Sequence, residues 1–489
     1  MQVLELPVYI AGTQKECADA DGHLELDYDG RIAVRIPRFT AADLDRVNRQ
    51  KAAALERLAQ LKTVDVTRFL AEVGQAWQAG GLRGRELVER WAPEFTGYPP
   101  SMIAMDCRTM GVFLSEPWHT FETIGAEFGS ERFLDEWEPR GEFTIVRGFP
   151  RGLVLHYLVG NVPLAGMYSV IRSIITRNVT LAKIPSRDPV SALGIVSAMI
   201  EVDPEHPVSR SLSAVYYPRD AEISAACLKS ADAVCVWGSH DAVSEVKRAV
   251  PPGVPVAEYG PRRSLAVIDL DRCDPVRAAY RLAEDVCYYD QEACVNVQRA
   301  FVAGDLAAFV PVLGRYLDAF ADRHPLVSEN PDVLAHRSAS ILEARFLGWP
   351  VVEGRDWAIV LPESVTSVRE HPLARVIYLH RVESPAEVGQ HLSRDVQTMA
   401  VFPWALALEH RDEWARRGVD RFADLGWSRL PRVGWSHDGS YGLHALVRIV
   451  ELERDSTYLG KYSQVKDTAQ WEKIWFATDA VQGSDAAGR

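Results

Sequence analysis

The chain has 489 residues, 47% of them apolar and 25% charged, with a formal net charge of −13. That balance suits a globular protein with a large core, divided at about 150 residues per unit into two to four domains. The negative charge argues against nucleic acid or an anionic membrane as the main partner, and no apolar run approaches the roughly 18 residues of a membrane span. The seven cysteines are odd in number and include no CxxC pair, so free thiols in a reducing cytoplasm are expected, with neither a disulfide framework nor a zinc site. The N-terminal run MQVLELPVYIAGTQKE lacks a basic leader and a sustained apolar stretch, so no secretion signal is expected.

Residues 1 to about 40 read as short strands and turns, such as HLELDYDG and IAVRIPRF. Thr40 then caps a helical run in which Leu44, Val47, Leu55 and Leu58 share a face. Further helix is predicted through VTRFLAEVGQAWQ, LRGRELVERWAPEF and about 101–137, with breaks at Pro99-Pro100 and Pro117. EFTIVRGFP, 142–150, alternates like an exposed strand. GLVLHYLVG is a nearly continuous apolar run, as a buried parallel strand requires. Pro163 opens a helix, because proline fits the first helical position. VTLAKI, SAVYY, AVCVW and SLAVID read as further strands, alternating with helices, one begun by Asp188-Pro189 and another capped by Ser239. The alternation over about 152–270 predicts a doubly wound α/β unit. More α/β sequence follows, with helices AGDLAAFVPVLGRYLDAFAD and SPAEVGQHLSR and strands WAIVLP and ARVIYL.

Such a sheet binds ligands beyond the carboxyl ends of its strands. The residues there are Gly160-Asn161-Val162-Pro163, Lys183-Ile184-Pro185-Ser186 and Trp237-Gly238-Ser239, and the fingerprint GxGxxG is absent. Downstream, YYDQEACVNVQRAF puts Cys294 three residues after Gln291. A thiolate there could attack a carbonyl carbon and later leave it, although an isolated cysteine is more often a small buried apolar residue.

Six motifs in order (HYLVGNVPLAG, TLAKIPSRDP, ADAVCVWGSHDAV, AEYGPRRSLAVID, YYDQEACVNVQ and GWSHDGSYGLHAL) resemble the aldehyde dehydrogenase superfamily. The match is to its acyl-thioester-reducing branch, the LuxC-like fatty-acyl reductases of bacterial luminescence, and extends from about Tyr98 to Arg448. The resemblance implies Cys294 as nucleophile and an Asn161 amide that, with the Cys294 backbone N–H, holds the oxyanion. The residues alone also allow Asn161 a turn or cap role. Lys183 is implied at the cofactor's adenosine ribose. Where the superfamily's commonest form carries a glutamate, this chain has Ser186-Arg187, which would welcome a 2′-phosphate, so NADPH is expected over NADH. Trp237, Gly238 and Ser239 would open a helix toward the pyrophosphate.

Glu258 matches the family's general base, a role an acyl reductase does not need, beside a surface or structural reading. Glu370 is carried over for the nicotinamide ribose, although REHPLARV departs from the family's pattern. Cys287 is read as structural, and His437-Asp438-Gly439 as a Gly-rich turn near the acyl tunnel, with a proton relay as the other reading.

The implied fold is an aldehyde dehydrogenase-like α/β architecture. Residues 1–137 and 151–257 would form the cofactor-binding domain and 258–444 the catalytic domain. Residues 138–150, with about 445–475, would supply oligomerisation strands, giving a homodimer or homotetramer. The expected reaction is NADPH-dependent reduction of an acyl thioester, on coenzyme A or an acyl-carrier protein, to the free aldehyde, with no metal. An ordinary aldehyde dehydrogenase and a cysteine acyltransferase without hydride chemistry stay open as alternatives.

Overall fold

The computed structural model describes residues 1–19, 22–141, 144–219, 221–327, 331–367 and 370–453. The first large sheet has seven strands in the order Val256–Tyr259, Ala233–Trp237, Leu153–Tyr157, Val179–Lys183, Leu212–Val215, Val8–Ile10 and Thr13–Lys15. The first five are parallel, and the two N-terminal strands close one edge antiparallel. The parallel strands are buried almost end to end, which their unbroken apolar runs require. Helices Pro163–Ile175, Ser191–Val202, Glu222–Ser230 and His240–Ala249 connect them. The chain runs outward from Leu153–Tyr157 through two strands, then returns to lay Ala233–Trp237 on its other side. That reversal opens a crevice past the ends of these two adjacent strands, where Asn161 and Trp237-Gly238-Ser239 emerge.

The second large sheet orders its strands Val351–Glu353, Ala358–Val360, Val376–Arg381, Val297–Ala303, Arg263–Asp269, Val396–Phe402 and Arg421–Asp424. All pairs are parallel except the first. This corrects one expectation: SLAVID does not end the first doubly wound unit but lies inside the second sheet, between Val297–Ala303 and Val396–Phe402. Alternation reveals a strand but not the sheet it joins; Gly260-Pro261 breaks the chain between the two. SPAEVGQHLSR is likewise no α-helix but a 3₁₀ run, Pro385–His391, and a helix at Pro331–Phe346 was not anticipated.

Local signals read from the sequence hold at several termini. Thr40 and Asp43 form a reciprocal capping box, Pro163 opens its helix, and the Ser239 side chain accepts from Ala242 N–H. The helix expected from Asp188-Pro189 starts at Ser191, because the Asp188 carboxylate accepts from Val190 and Ser191 N–H at 3.2 and 3.0 Å. A small antiparallel sheet joins Glu138–Pro139, Thr144–Pro150 and Val447–Glu453. Glu142 and Phe143 of the expected oligomerisation strand, and everything after 453, lie outside the described residues. Among the described residues no helix is long and apolar enough to cross a membrane.

Candidate active site

Cys294 sits in the turn between helix Pro275–Cys287 and strand Val297–Ala303. The approach to it is unusual backbone. Tyr289, Asp290 and Gln291 all have positive φ, at 48°, 49° and 68°. Residues with side chains rarely take this region, and they persist there only where surroundings hold them. Here each side chain is pinned. Tyr289 donates its hydroxyl to Asp106 at 2.7 Å. Asp290 accepts from the Arg375 Nε at 2.6 Å. Gln291 donates to the carbonyls of Val297 and Val376 at 2.8 and 2.9 Å. A second such triplet, Leu373-Ala374-Arg375, lies against the first, and Ala374 N–H donates to the Asp290 carbonyl at 2.9 Å.

Past this turn the Cys294 carbonyl accepts from Ser264 Oγ at 2.6 Å. Cys294 is half-buried and faces a cleft of about 1010 Å³. Burial pushes its thiol up to about 11, and the neighbouring Asp438 adds to this, while the Gln397 side chain and the N–H groups of Cys294 and Val295 act the other way. Cys287 is fully buried and pushed up to about 12 by burial.

The same cleft reaches the switch-point crevice of the first sheet, since Asn161, Arg187, Trp237, Gly238 and Ser239 line it together with Cys294. The Asn161 amide donates to the Glu292 carbonyl at 2.9 Å, which holds it beside the cysteine loop. Trp237 stacks on Tyr259, with ring centroids 3.9 Å apart, and the Tyr259 hydroxyl accepts from the buried Arg172 at 2.6 Å.

Lys183, Ser186, Glu258 and Glu370 lie outside the lining of this cleft. Lys183 ends its strand with the ammonium 5.6 and 5.5 Å from the rings of Tyr216 and Tyr217, and no carboxylate pairs with it among the described residues. Burial, with the charge of Arg219 adding, pulls it down to about 8. Ser186 is exposed, and its carbonyl accepts from the Tyr28 hydroxyl. The Arg187 guanidinium is taken by Glu292, at 2.6 and 2.9 Å. Glu258 lies on the outer side of its strand, paired with Lys247 at 2.7 Å; its neighbour Tyr259 is the residue turned to the cleft. Glu370 is exposed and outside the cleft lining.

His437 also lines the cleft, packed edge-on to Trp237 and Tyr259. Burial, reinforced by Arg172, Arg421 and Arg262, holds it well below the usual imidazole range, so it is neutral at pH 7. The buried Gln397 amide lies 3.3 Å from His437 Nε2 and donates to Asp438. Sequence reasoning did not find Tyr98, Glu292, Arg375 or Gln397. Of these only Glu292 carried a signal, its place beside Gln291 in the cysteine motif.

Residues 58–449 match the acyl-CoA reductase (LuxC) family. The chain belongs to that family. Family membership makes it an oxidoreductase of the acyl-thioester-reducing class. A long-chain acyl-protein thioester reductase of Photobacterium phosphoreum is similar, 31% identical over 469 residues, covering 95% of this chain and 94% of that protein. One from Aliivibrio fischeri is 32% identical over 440 residues, covering 86% and 91%. In fold this LuxC-family chain resembles aldehyde dehydrogenase 21 of Physcomitrella patens, with TM-score 0.70, 16% identity and coverage of 93% and 98%. It likewise resembles an oxidoreductase of Marinobacter aquaeolei, with TM-score 0.75, 15% identity and coverage of 92% and 98%.

Proposed function

We propose that the chain reduces a long-chain acyl thioester, carried on a protein or on coenzyme A, to the free aldehyde, with NADPH as reductant and Cys294 as the acyl acceptor. The observation that carries this is the single cleft shared by Cys294, Asn161 and Trp237-Gly238-Ser239. It lets an acyl group on the sulfur face the crevice where an open α/β sheet takes its ligand.

The residues present fit a dinucleotide. Lys183 is a largely buried cation without a carboxylate partner among the described residues, and the helix His240–Ala249 presents its N-terminal N–H groups at Ser239. A Cβ at Gly238 would meet Ala242 Cβ at 3.0 Å, a tight contact that glycine avoids where the backbone turns into the helix. The preference for NADPH rests on the loop after Lys183. It offers no carboxylate to a ribose diol, because Asp188 is turned inward onto Val190 and Ser191.

In this reading the Cys294 sulfur, as thiolate, bonds to the acyl carbonyl carbon. The oxyanion forms between the second N–H of the Asn161 amide and the Cys294 backbone N–H. The C–S bond to the donor breaks, the donor thiol leaves with the proton, and Cys294 keeps the acyl group as a thioester. That carbonyl is electrophilic enough for hydride, which a bound reduced nicotinamide supplies. Breaking the Cys294–carbon bond then releases the aldehyde, and the sulfur is reprotonated. Water attack is not required. Glu258, the residue that matches the family's water-activating base, is paired with Lys247 and is not among the cleft's lining residues.

A cytoplasmic homo-oligomer is part of the proposal. Its support is the small sheet of Thr144–Pro150 and Val447–Glu453, which exposes Ile145, Ile449 and Leu452. The test is mass spectrometry after incubation with acyl thioesters. Acyl mass on Cys294, discharged as aldehyde when NADPH is added, is expected. Carboxylate formed efficiently from aldehyde and oxidised cofactor would overturn the reading.

A further inference from the structure

Arg187 and Glu292 stand 105 positions apart and meet across the seam between the two large sheets. Their contact is bidentate: Nη1 to Oε2 at 2.6 Å and Nη2 to Oε1 at 2.9 Å. Such paired, charge-assisted bonds fix direction as well as distance. Glu292 is largely buried and lies two residues before the nucleophile. Arg187 also reaches the Thr96 carbonyl at 3.4 Å.

Two further bonds close the arrangement. Tyr98 donates its hydroxyl to the Asn161 carbonyl at 2.6 Å, and the same oxygen lies 3.3 Å from Glu292 Oε2. The Asn161 amide in turn donates to the Glu292 carbonyl at 2.9 Å. Glu292 is thus held at both ends, its carboxylate by Arg187 and its main chain by Asn161. The loop of Arg187 is seated on Gly160, where a Cβ would come within 2.7 Å of Arg187 Cβ.

We infer that Arg187, Glu292 and Tyr98 form a latch between the domains that sets the Asn161 amide against the Cys294 loop, so that Arg187 is a positioning residue for acyl transfer and not the selector of the cofactor's 2′-phosphate. The inference rests on the proposed acyl-transfer role of Cys294 and deepens it. Two consequences follow from the geometry. A carboxylate so near the reacting carbonyl would oppose the developing oxyanion, and Arg187 neutralises it. A shift of about 1 Å between Asn161 and Cys294 is enough to lose roughly 100-fold in rate.

The experiment uses the full chain and four variants: Arg187→Met, Arg187→Lys, Glu292→Gln and Tyr98→Phe. Three quantities are read: the rate of acyl loading of Cys294 without cofactor, the dissociation constants for NADPH and NADH, and the rate of Cys294 alkylation by iodoacetamide. Arg187→Met and Glu292→Gln are expected to slow acyl loading about 100-fold. They should leave the ratio of NADPH to NADH affinity within about twofold, and Arg187→Lys should recover part of the loading rate, since it keeps the charge but not the fork.

Unchanged acyl loading in Arg187→Met, with NADPH binding weakened and NADH binding intact, would overturn the latch and return Arg187 to the phosphate. Should Arg187→Met fail to fold, Tyr98→Phe removes a single hydroxyl and must still slow loading; a wild-type rate there sinks the inference. A wild-type protein that accepts no acyl group defeats the proposed function instead. The latch is then read from alkylation, whose rate must differ from wild type in Glu292→Gln if the cysteine loop has moved, and must match it if the inference is wrong.

Discussion

Asp290 and Arg375 form a buried ion pair, Oδ1 to Nε at 2.6 Å, and both have left-handed backbone. Each belongs to a run of three consecutive residues with positive φ, and the pair bolts one run to the other. Arg375 is fully buried, its Nη1 and Nη2 have no hydrogen-bond partner among the described residues, and its guanidinium lies 5.4 Å from the Phe320 ring. The turn before Cys294 is therefore held in a costly shape by an ion pair whose two residues are not among those lining the cleft.

Removing one half of that pair leaves the other charge buried. Asp290→Ala is expected to lower unfolding stability by about 3–5 kcal/mol, read from the urea midpoint at constant m-value. It should also relax Tyr289–Gln291 and slow acyl loading of Cys294 in the fraction that folds. A loss within about 0.5 kcal/mol would mean that the turn holds its shape unaided.

Desolvation of the half-buried Cys294 pushes its thiol up to about 11, and the charge of Asp438 adds to this. The reactive species is the thiolate, so reactivity must climb with pH as long as pH stays below that value. Alkylation by iodoacetamide, followed by mass spectrometry at Cys294, should rise about tenfold per unit from pH 7 to pH 10. A plateau already at pH 8 would show a thiol activated before any ligand arrives.

Asn161→Ala removes the proposed oxyanion donor. The expected fall in turnover with acyl thioester is about 100-fold or more, with donor binding little changed, measured as aldehyde formed at saturating NADPH. A fall of only twofold would assign the oxyanion to other donors.

Gly160→Ala adds one methyl where there is no space. Its Cβ would stand 2.7 Å from Arg187 Cβ and 2.8 Å from Asp188 N, so the loops ending the two strands must part. A stability loss of about 1–3 kcal/mol is expected, together with slower acyl loading. Wild-type behaviour in both measurements would contradict the close approach.

The parts of this architecture that were readable in the sequence are those with local causes. Thr40, Pro163 and Ser239 act on the helices they begin, and apolar runs such as GLVLHYLVG depend only on burial on both sides. Six motifs in order were enough to place the family, because their spacing follows from the order of strands in the fold. Arg187 shows where such reading stops. Beside Ser186 it looks like a phosphate ligand, but its partner Glu292 lies far along the chain and nothing local points to it. The same holds for Asp290 with Arg375 and for the membership of SLAVID in the second sheet. Pairings between segments distant in sequence are set by the assembled fold, not by the composition of either segment.

The cleft is lined by residues from Met105 to His437, so its lining is completed only by a late part of the chain. During translation the stretch bearing Cys294 emerges well ahead of Trp435 and His437. For that interval the sulfur belongs to a chamber lacking part of its lining, with neither Trp237 nor Tyr259 yet packed against an imidazole. The complete cleft around Cys294 thus arrives late in synthesis, and a chain cut short between these points would leave that sulfur without its finished lining.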